Sequence, residues 1–356
     1  MQKSTQSVLP IWLSLGLSIA FVMSGVSVVS FAYLTFQNVW NRPLNPIEVA
    51  AAEVMDIGLQ LNQEGPASAP TLAGGVTEPT PIPTTEPWSG SDRVNVLIMG
   101  IDRRPGEPFI SRTDTMMVVS IDPVAKKISI LSIPRDLYVV IPGRGRDRIN
   151  TAFVYGSGGG NPAGGAELAR QTVEYNLGIP INHYVMVDFS AVVKGVDALG
   201  GIDVNVPFII NDPTYPDMNY GYDPLYIPSG MQHFDGLTAL KYARTRHVDN
   251  DFGRAQRQQQ VVLSVRQKAM NLGITGLVTK APILYQQLEQ GVRTDLTLDQ
   301  IMRLGVTASE IPSENIRNEV LDYQYVTSHI TETGAQVLVL SNASASELIH
   351  SLFYDD

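Results

Sequence analysis

The side chains best suited to chemistry in this chain are arginines and aspartates at the ends of apolar runs. Val96-Leu97-Ile98-Met99-Gly100-Ile101 delivers Asp102 just past its end, and Arg112-Thr113-Asp114-Thr115-Met116 opens the next run. Pro134-Arg135-Asp136 closes the run that starts at Ile128. Tyr242-Ala243-Arg244-Thr245-Arg246 is followed by Asp251-Phe252-Gly253-Arg254-Ala255-Gln256-Arg257. Open α/β sheets take their ligands beyond the C-terminal ends of strands. Residues i and i+2 of an extended segment face one way, so Arg112 and Asp114 are expected to point into one site. On a helix Arg244 and Arg246 would lie about 200° apart. The helix is therefore expected to end near Ala243, with Arg-Thr-Arg extended and both guanidiniums side by side. Arg254 and Arg257 are i,i+3 neighbours near a helix N-terminus, where the dipole favours an anion.

Taken singly, each of these is an ordinary surface charge, and an exposed ion pair contributes only about 0–1 kcal/mol. Several arginines converging on one cleft repel one another unless an anion sits between them. Charge-assisted hydrogen bonds to that anion contribute roughly 1.5–3 kcal/mol each. Nearby aspartates suit such a site only if a hard cation such as Mg2+ bridges carboxylate and phosphate oxygens. An arginine clamp with an aspartate-held metal is the chemistry of a diphosphate.

Other chemistries are excluded or unsupported. The chain has no cysteine, which removes disulfides, thiolate-held zinc, a thiol nucleophile and an N-terminal lipoprotein anchor. Gly156-Ser157-Gly158-Gly159-Gly160 lacks the Gly-Lys-Ser/Thr of a phosphate loop. Neither a His-Glu-x-x-His helix nor a Gly-x-Ser-x-Gly elbow occurs, and the five histidines are scattered. A net charge of −10 argues against a nucleic-acid partner.

The elements that must position the clusters alternate along the chain. Strands are expected at Val94–Met99, Thr115–Ile121, Ile128–Ile133, Tyr184–Val187, Ile202–Val206 and Gln336–Leu340, the second and third as a hairpin around Asp122-Pro123. Helices are expected at Ala166–Asn176, Ser190–Leu199, Gly236–Ala243, Gly253–Asn271, Leu277–Glu289, Leu298–Ala308 and Ser344–Phe353. The pattern predicts an α/β fold: a three-layer α/β/α domain with a mixed central sheet. It is preceded by one N-terminal transmembrane helix. Ser4 to Asn41 carries no charge, and the apolar run at residues 8–36 exceeds the roughly 20 residues needed to span a bilayer. A signal peptide has a shorter core and a small-residue cleavage site, so the segment reads as a retained anchor. Residues 1–7 then form a short cytoplasmic tail, 37–91 a juxtamembrane segment and Pro/Thr-rich spacer, and 92–356 the globular domain.

The sequence resembles the LytR-CpsA-Psr family of bacterial cell-wall enzymes. The resemblance is carried by Asn95 to Asp102, Arg112 to Met116, Ile133 to Asp136, Arg148-Ile-Asn-Thr-Ala-Phe153, Asp197-Ala-Leu-Gly-Gly201 and Ala239 through Gln259, in the family's order. It implies a single-pass protein of the cell membrane whose C-terminal domain is extracytoplasmic. Its partners would be a polyprenyl-diphosphate-linked glycan and peptidoglycan. The implied reaction joins the two through a phosphodiester and releases polyprenyl phosphate. Carried over by motif, Asp102 and Asp114 resemble ligands of Mg2+, with Mn2+ as a substitute. Arg112, Arg135, Arg244, Arg246 and Arg254 resemble the diphosphate clamp, with Arg257 beside them. Asp114, Arg112, Arg135 and Arg246 fall at the reacting phosphorus, and Asp114 is a candidate to assist deprotonation of the incoming hydroxyl. The Tyr-, Pro- and Asp-rich stretch Phe208 to Pro228 reads either as a surface loop or as a determinant of glycan preference.

Two other functions use the same residues: a hydrolase of lipid-linked diphosphates, and a non-catalytic, membrane-tethered binder of polyprenyl phosphates.

Overall fold

Val94–Ile101 (β1) is apolar along nearly its whole length, as a strand covered on both faces must be. A computed structural model describes residues 93–103, 107–217 and 221–355. The expected membrane helix at 8–36 and the spacer at 37–91 lie outside these residues. Among the described residues no helix is long and apolar enough to cross a membrane.

After β1 come β2 (Thr113–Asp122), β3 (Lys127–Ser132), β4 (Tyr138–Ile141), β5 (Gly145–Arg148), α1 (Ala152–Gly156), α2 (Pro162–Leu177), β6 (His183–Asp188) and α3 (Phe189–Leu199). Four short strands follow: β7 (Ile202–Val206), β8 (Ile210–Asp212), β9 (Leu225–Ile227) and β10 (Gly230–Phe234). Then come α4 (Gly236–Arg244), α5 (Asp251–Leu288), β11 (Val292–Thr294), α6 (Leu298–Glu310), β12 (Ile316–Val320), β13 (Val326–Ile330), β14 (Gln336–Leu340) and α7 (Asn342–Phe353).

The main sheet has the order β11-β6-β1-β2-β3-β12. It is mixed: β1/β6 and β3/β12 are parallel, and β1/β2, β2/β3 and β6/β11 are antiparallel. Strand alternation sends Leu97, Met99, Val118 and Leu131 to one face, against Ala169 and Val173 of α2 and Leu348 and Leu352 of α7. Ile98, Met117 and Ile130 go to the other face, against Val262 and Leu263 of α5 and Leu304 of α6. A separate core joins β7 to β10 with α4, where Ile202, Ile210, Tyr215, Phe234 and Tyr242 meet Val261 of α5.

The expected mixed α/β architecture is present, with differences in detail. The helices anticipated at Gly253–Asn271 and Leu277–Glu289 are one run, Asp251–Leu288, broken at Gly273 (φ 64°, ψ 175°). The short strands β4, β5 and β8 to β13 were not anticipated, because three to five residues carry too little periodicity to separate from loop. The glycine-rich stretch connects α1 to α2. A Cβ on Gly156 would lie 2.3 Å from the Gly164 carbonyl oxygen, so close backbone packing accounts for glycine there.

Candidate active site

The first wall of the site is built where β1 ends and β2 begins. Gly100 pairs with Thr115 and Ile101 with Thr113, so Asp114 is the extra residue of a β-bulge. The bulge aims both Asp114 and Thr115 into one cavity, which Asp102 also lines. Gly100 permits this approach, since a Cβ there would sit 2.9 Å from the Thr115 Cβ. The bulge also breaks the alternation on which Arg112 and Asp114 were expected to face together. Arg112 is exposed and is not among the cavity-lining residues.

The second wall is the junction between α4 and α5. The α4 helix ends at Arg244, one residue beyond the expected Ala243, and Thr245 (φ −54°, ψ 139°) turns the chain into extended form. Arg244 and Arg246 then both line the cavity. The Arg244 guanidinium lies 4.2 Å over the Phe189 ring and 3.6 Å from Asp102 Oδ2. Asn250 caps α5 by accepting from the Phe252 and Gly253 amides, which fixes the helix start and brings Arg254 to the cavity.

Arg257 is placed differently from its i,i+3 neighbour. It is 3% exposed, pairs with Asp249, donates from Nε to the Tyr242 carbonyl at 3.0 Å and from Nη2 to the Thr245 carbonyl. Those partners belong to the α4–α5 junction, so Arg257 holds the segment that carries Arg244 and Arg246 and does not line the cavity itself.

Arg135 also stands behind the wall. Its Nη1 lies 2.9 Å from Asp114 Oδ1, and its Nε lies 3.4 Å from both Asp136 and Asp251. Burial opposes its charge, but the Asp114 hydrogen bond and the surrounding carboxylates outweigh that and hold its pKa above the ordinary arginine value. Asp251, at the first turn of α5, reaches Arg254 (3.5 Å) and Arg246 (3.9 Å) as well. It is quoted in the sequence motif, yet only the fold reveals it as the shared counter-ion of three arginines.

The third wall comes from residues that local sequence pattern does not single out. Asp212 at the end of β8, with Tyr215 and Pro216 beyond it, closes the cavity together with His247 and Gln258. Asp212 is fully buried; it accepts from Thr245 Oγ1 at 2.6 Å and bonds His247 Nδ1 at 2.8 Å. Burial alone would raise its pKa, but those two hydrogen bonds prevail and hold it below the usual carboxylate range. The available signal was the Tyr- and Asp-rich stretch Phe208 to Pro228, which names no partner in sequence.

The cavity is a half-open cleft with a volume of about 260 Å³. Burial drives the Arg254 guanidinium down to about 10; Asp251 resists that fall, and Arg246 and Arg135 add to it. Arg254 is 5% exposed, and its Nε is buried with no hydrogen-bond partner. An unmade bond at a buried charged donor costs more than 1 kcal/mol, and an anion in the cavity would supply the missing acceptor.

The donor set also fits a hard cation. Asp102 Oδ2 lies 3.6 Å from Arg244 and Asp114 Oδ1 2.9 Å from Arg135, and both aspartates line the cavity. No group of three or more histidine and acidic side chains able to hold a metal occurs among the described residues. Mg2+ is commonly held by one or two carboxylates, with water and phosphate oxygens completing its shell, whereas a structural zinc needs a closed four-ligand cage.

Sheet, bulge and cavity together define a mixed α/β protein with an arginine- and aspartate-lined cavity at the strand ends, and the family is given by comparison. The chain belongs to the LytR_cpsA_psr family, whose model matches residues 59–353. It is similar to the polyisoprenyl-teichoic acid–peptidoglycan teichoic acid transferase TagU of Oceanobacillus iheyensis, with 38% identity over 219 residues. That match covers 61% of this chain and 63% of the relative, less than two thirds of the relative's length. Among solved structures, B. subtilis TagV matches with a TM-score of 0.59 at 26% identity, covering 74% of this chain and 96% of that one. A structure of TagT bound to LI-WTA matches with a TM-score of 0.57 at 27% identity, covering 74% and 90%.

Proposed function

We propose that this chain is a membrane-anchored, extracytoplasmic phosphotransferase that joins a polyprenyl-diphosphate-linked glycopolymer to peptidoglycan through a phosphodiester. The observation that carries the reading is the buried Arg254 Nε without a hydrogen-bond partner, in a cavity that Arg244, Arg246, Asp102 and Asp114 also line. Membership of the family and the names of its relatives support the substrate class. The anchor is the uncharged run from Ser4 to Asn41.

In this reading Arg244, Arg246 and Arg254 grip the diphosphate oxygens. Arg135 fixes Asp114, and Arg112 is the clamp member that must reorient its exposed side chain on binding. Asp102 and Asp114 would hold Mg2+ or Mn2+, which neutralises phosphate charge when bound. The arginines are in place before reaction and stabilise charge that develops on the transferred phosphoryl group, so little reorganisation accompanies the step.

The test is to incubate the full chain in detergent or vesicles with a polyprenyl-diphosphate-linked glycan and peptidoglycan fragments. The expected products are phosphodiester-linked glycan and an equal amount of polyprenyl phosphate. Free phosphorylated glycan would mark a hydrolase, and binding without turnover would mark a carrier.

A further inference from the structure

We infer that His247 is the catalytic base of the proposed transfer and that Asp212 is its positioning residue. The inference rests on the phosphotransferase reading. His247 lines the cavity with Arg244, Arg246 and Arg254, and its side chain is more than half exposed. Its Nδ1 lies 2.8 Å from Asp212 Oδ1, and Thr214 Oγ1 lies 3.3 Å from the same nitrogen. Asp212 is fixed in turn by Thr245 and buried beneath the cavity wall. This arrangement sets the tautomer: Nδ1 carries the proton toward the carboxylate, and Nε2 keeps its lone pair. No hydrogen bond occupies Nε2 among the described residues.

Asp114 is less suited to the same task. One of its oxygens accepts from Arg135 at 2.9 Å. A carboxylate engaged by a guanidinium is a weaker proton acceptor than a free one. A neutral imidazole held by a buried carboxylate is the usual solution to activating a hydroxyl near neutral pH.

The step balances as follows. The acceptor hydroxyl oxygen attacks the glycan-bearing phosphorus, forming a new P–O bond, while its proton passes to His247 Nε2. The bond from that phosphorus to the bridging oxygen breaks, and its electron pair leaves with polyprenyl phosphate. The imidazolium then returns its proton to solvent. The charged and titratable groups sharing the cavity are Asp212 and Tyr215 from the β8 side, Arg244 and Arg246 on the segment of His247, Arg254 from α5, and Asp102 and Asp114 opposite.

The test compares the full wild-type chain with His247→Gln and Asp212→Asn, using lipid-linked glycan and peptidoglycan fragments from pH 5 to 9. His247→Gln should bind lipid-linked substrate within about twofold of wild type and lose about 10²–10⁴-fold in turnover, the usual share of a general base. The fall in wild-type rate at low pH should disappear in its residual activity, and imidazole in the buffer should restore part of it. Asp212→Asn should retain a low-pH fall at a displaced position. Turnover of His247→Gln within twofold of wild type, with the same low-pH fall, overturns the inference and leaves the transferase reading standing. Absence of transfer by the wild-type chain overturns both.

Discussion

Arg135 Nη1 donates to Asp114 Oδ1 at 2.9 Å, joining residues 21 positions apart. The bond links the end of β3 to the bulge that opens β2, so one strand turn holds the carboxylate that another projects into the cavity. Asp114 is thereby oriented before any ligand arrives. Preorganisation of this kind spares a phosphoryl-transfer site the cost of turning charges during reaction.

Asp114→Asn keeps the shape of that arrangement and removes its charge. Turnover should fall on the order of 10²-fold while lipid-linked substrate still binds, because Arg244, Arg246 and Arg254 are untouched. High Mg2+ or Mn2+ should recover part of the loss. Titrating Mg2+ against turnover for both proteins checks this; superimposable metal curves would remove Asp114 from the cation site.

Two arginine-to-lysine changes should behave in opposite ways. Arg246 is 42% exposed on its side chain and lines the cavity, so Arg246→Lys should leave thermal stability nearly unchanged and slow transfer at least tenfold through loss of the planar fork. Arg257 is buried among Asp249 and two carbonyls, so Arg257→Lys should destabilise the fold by about 2–4 kcal/mol. Thermal melts run beside transfer assays separate the two. Equal melting temperatures for wild type and Arg257→Lys would deny that residue its structural part.

Much of this division was legible in the sequence and part was not. The arginine and aspartate blocks, the strand end before Asp102 and the chain's exit from helix form just ahead of Arg246 follow from local pattern, although Arg244 still belongs to the helix. The Asp114 bulge depends on which residue of β1 each residue of β2 meets, which is a property of register between strands. The fate of Arg257 depends on a loop folding back on its own helix, so a helical wheel alone could not separate it from Arg254. Asp212 and His247 are 35 residues apart and meet only because β8 packs beside the α4–α5 junction.

Acid stability should report Asp212. Its folded pKa is held below the usual carboxylate range, so its contribution is fully present above the unfolded value of about 3.9 and is lost as pH falls through the lower folded value. Asp212→Asn should be less stable than wild type at pH 7, and the difference should shrink toward pH 2–3. Melting curves across that range check the sign; a constant difference at every pH would contradict it.

The most direct measurement is of the diphosphate itself in the arginine cavity. A short-chain prenyl diphosphate titrated into the full chain with Mg2+ present should bind one per chain, with both phosphorus resonances shifted. Arg244→Ala and Arg254→Ala should each weaken binding at least tenfold, since a charge-assisted bond contributes about 1.5–3 kcal/mol. Unshifted resonances, or affinities unchanged in both variants, would contradict a diphosphate site in this cavity.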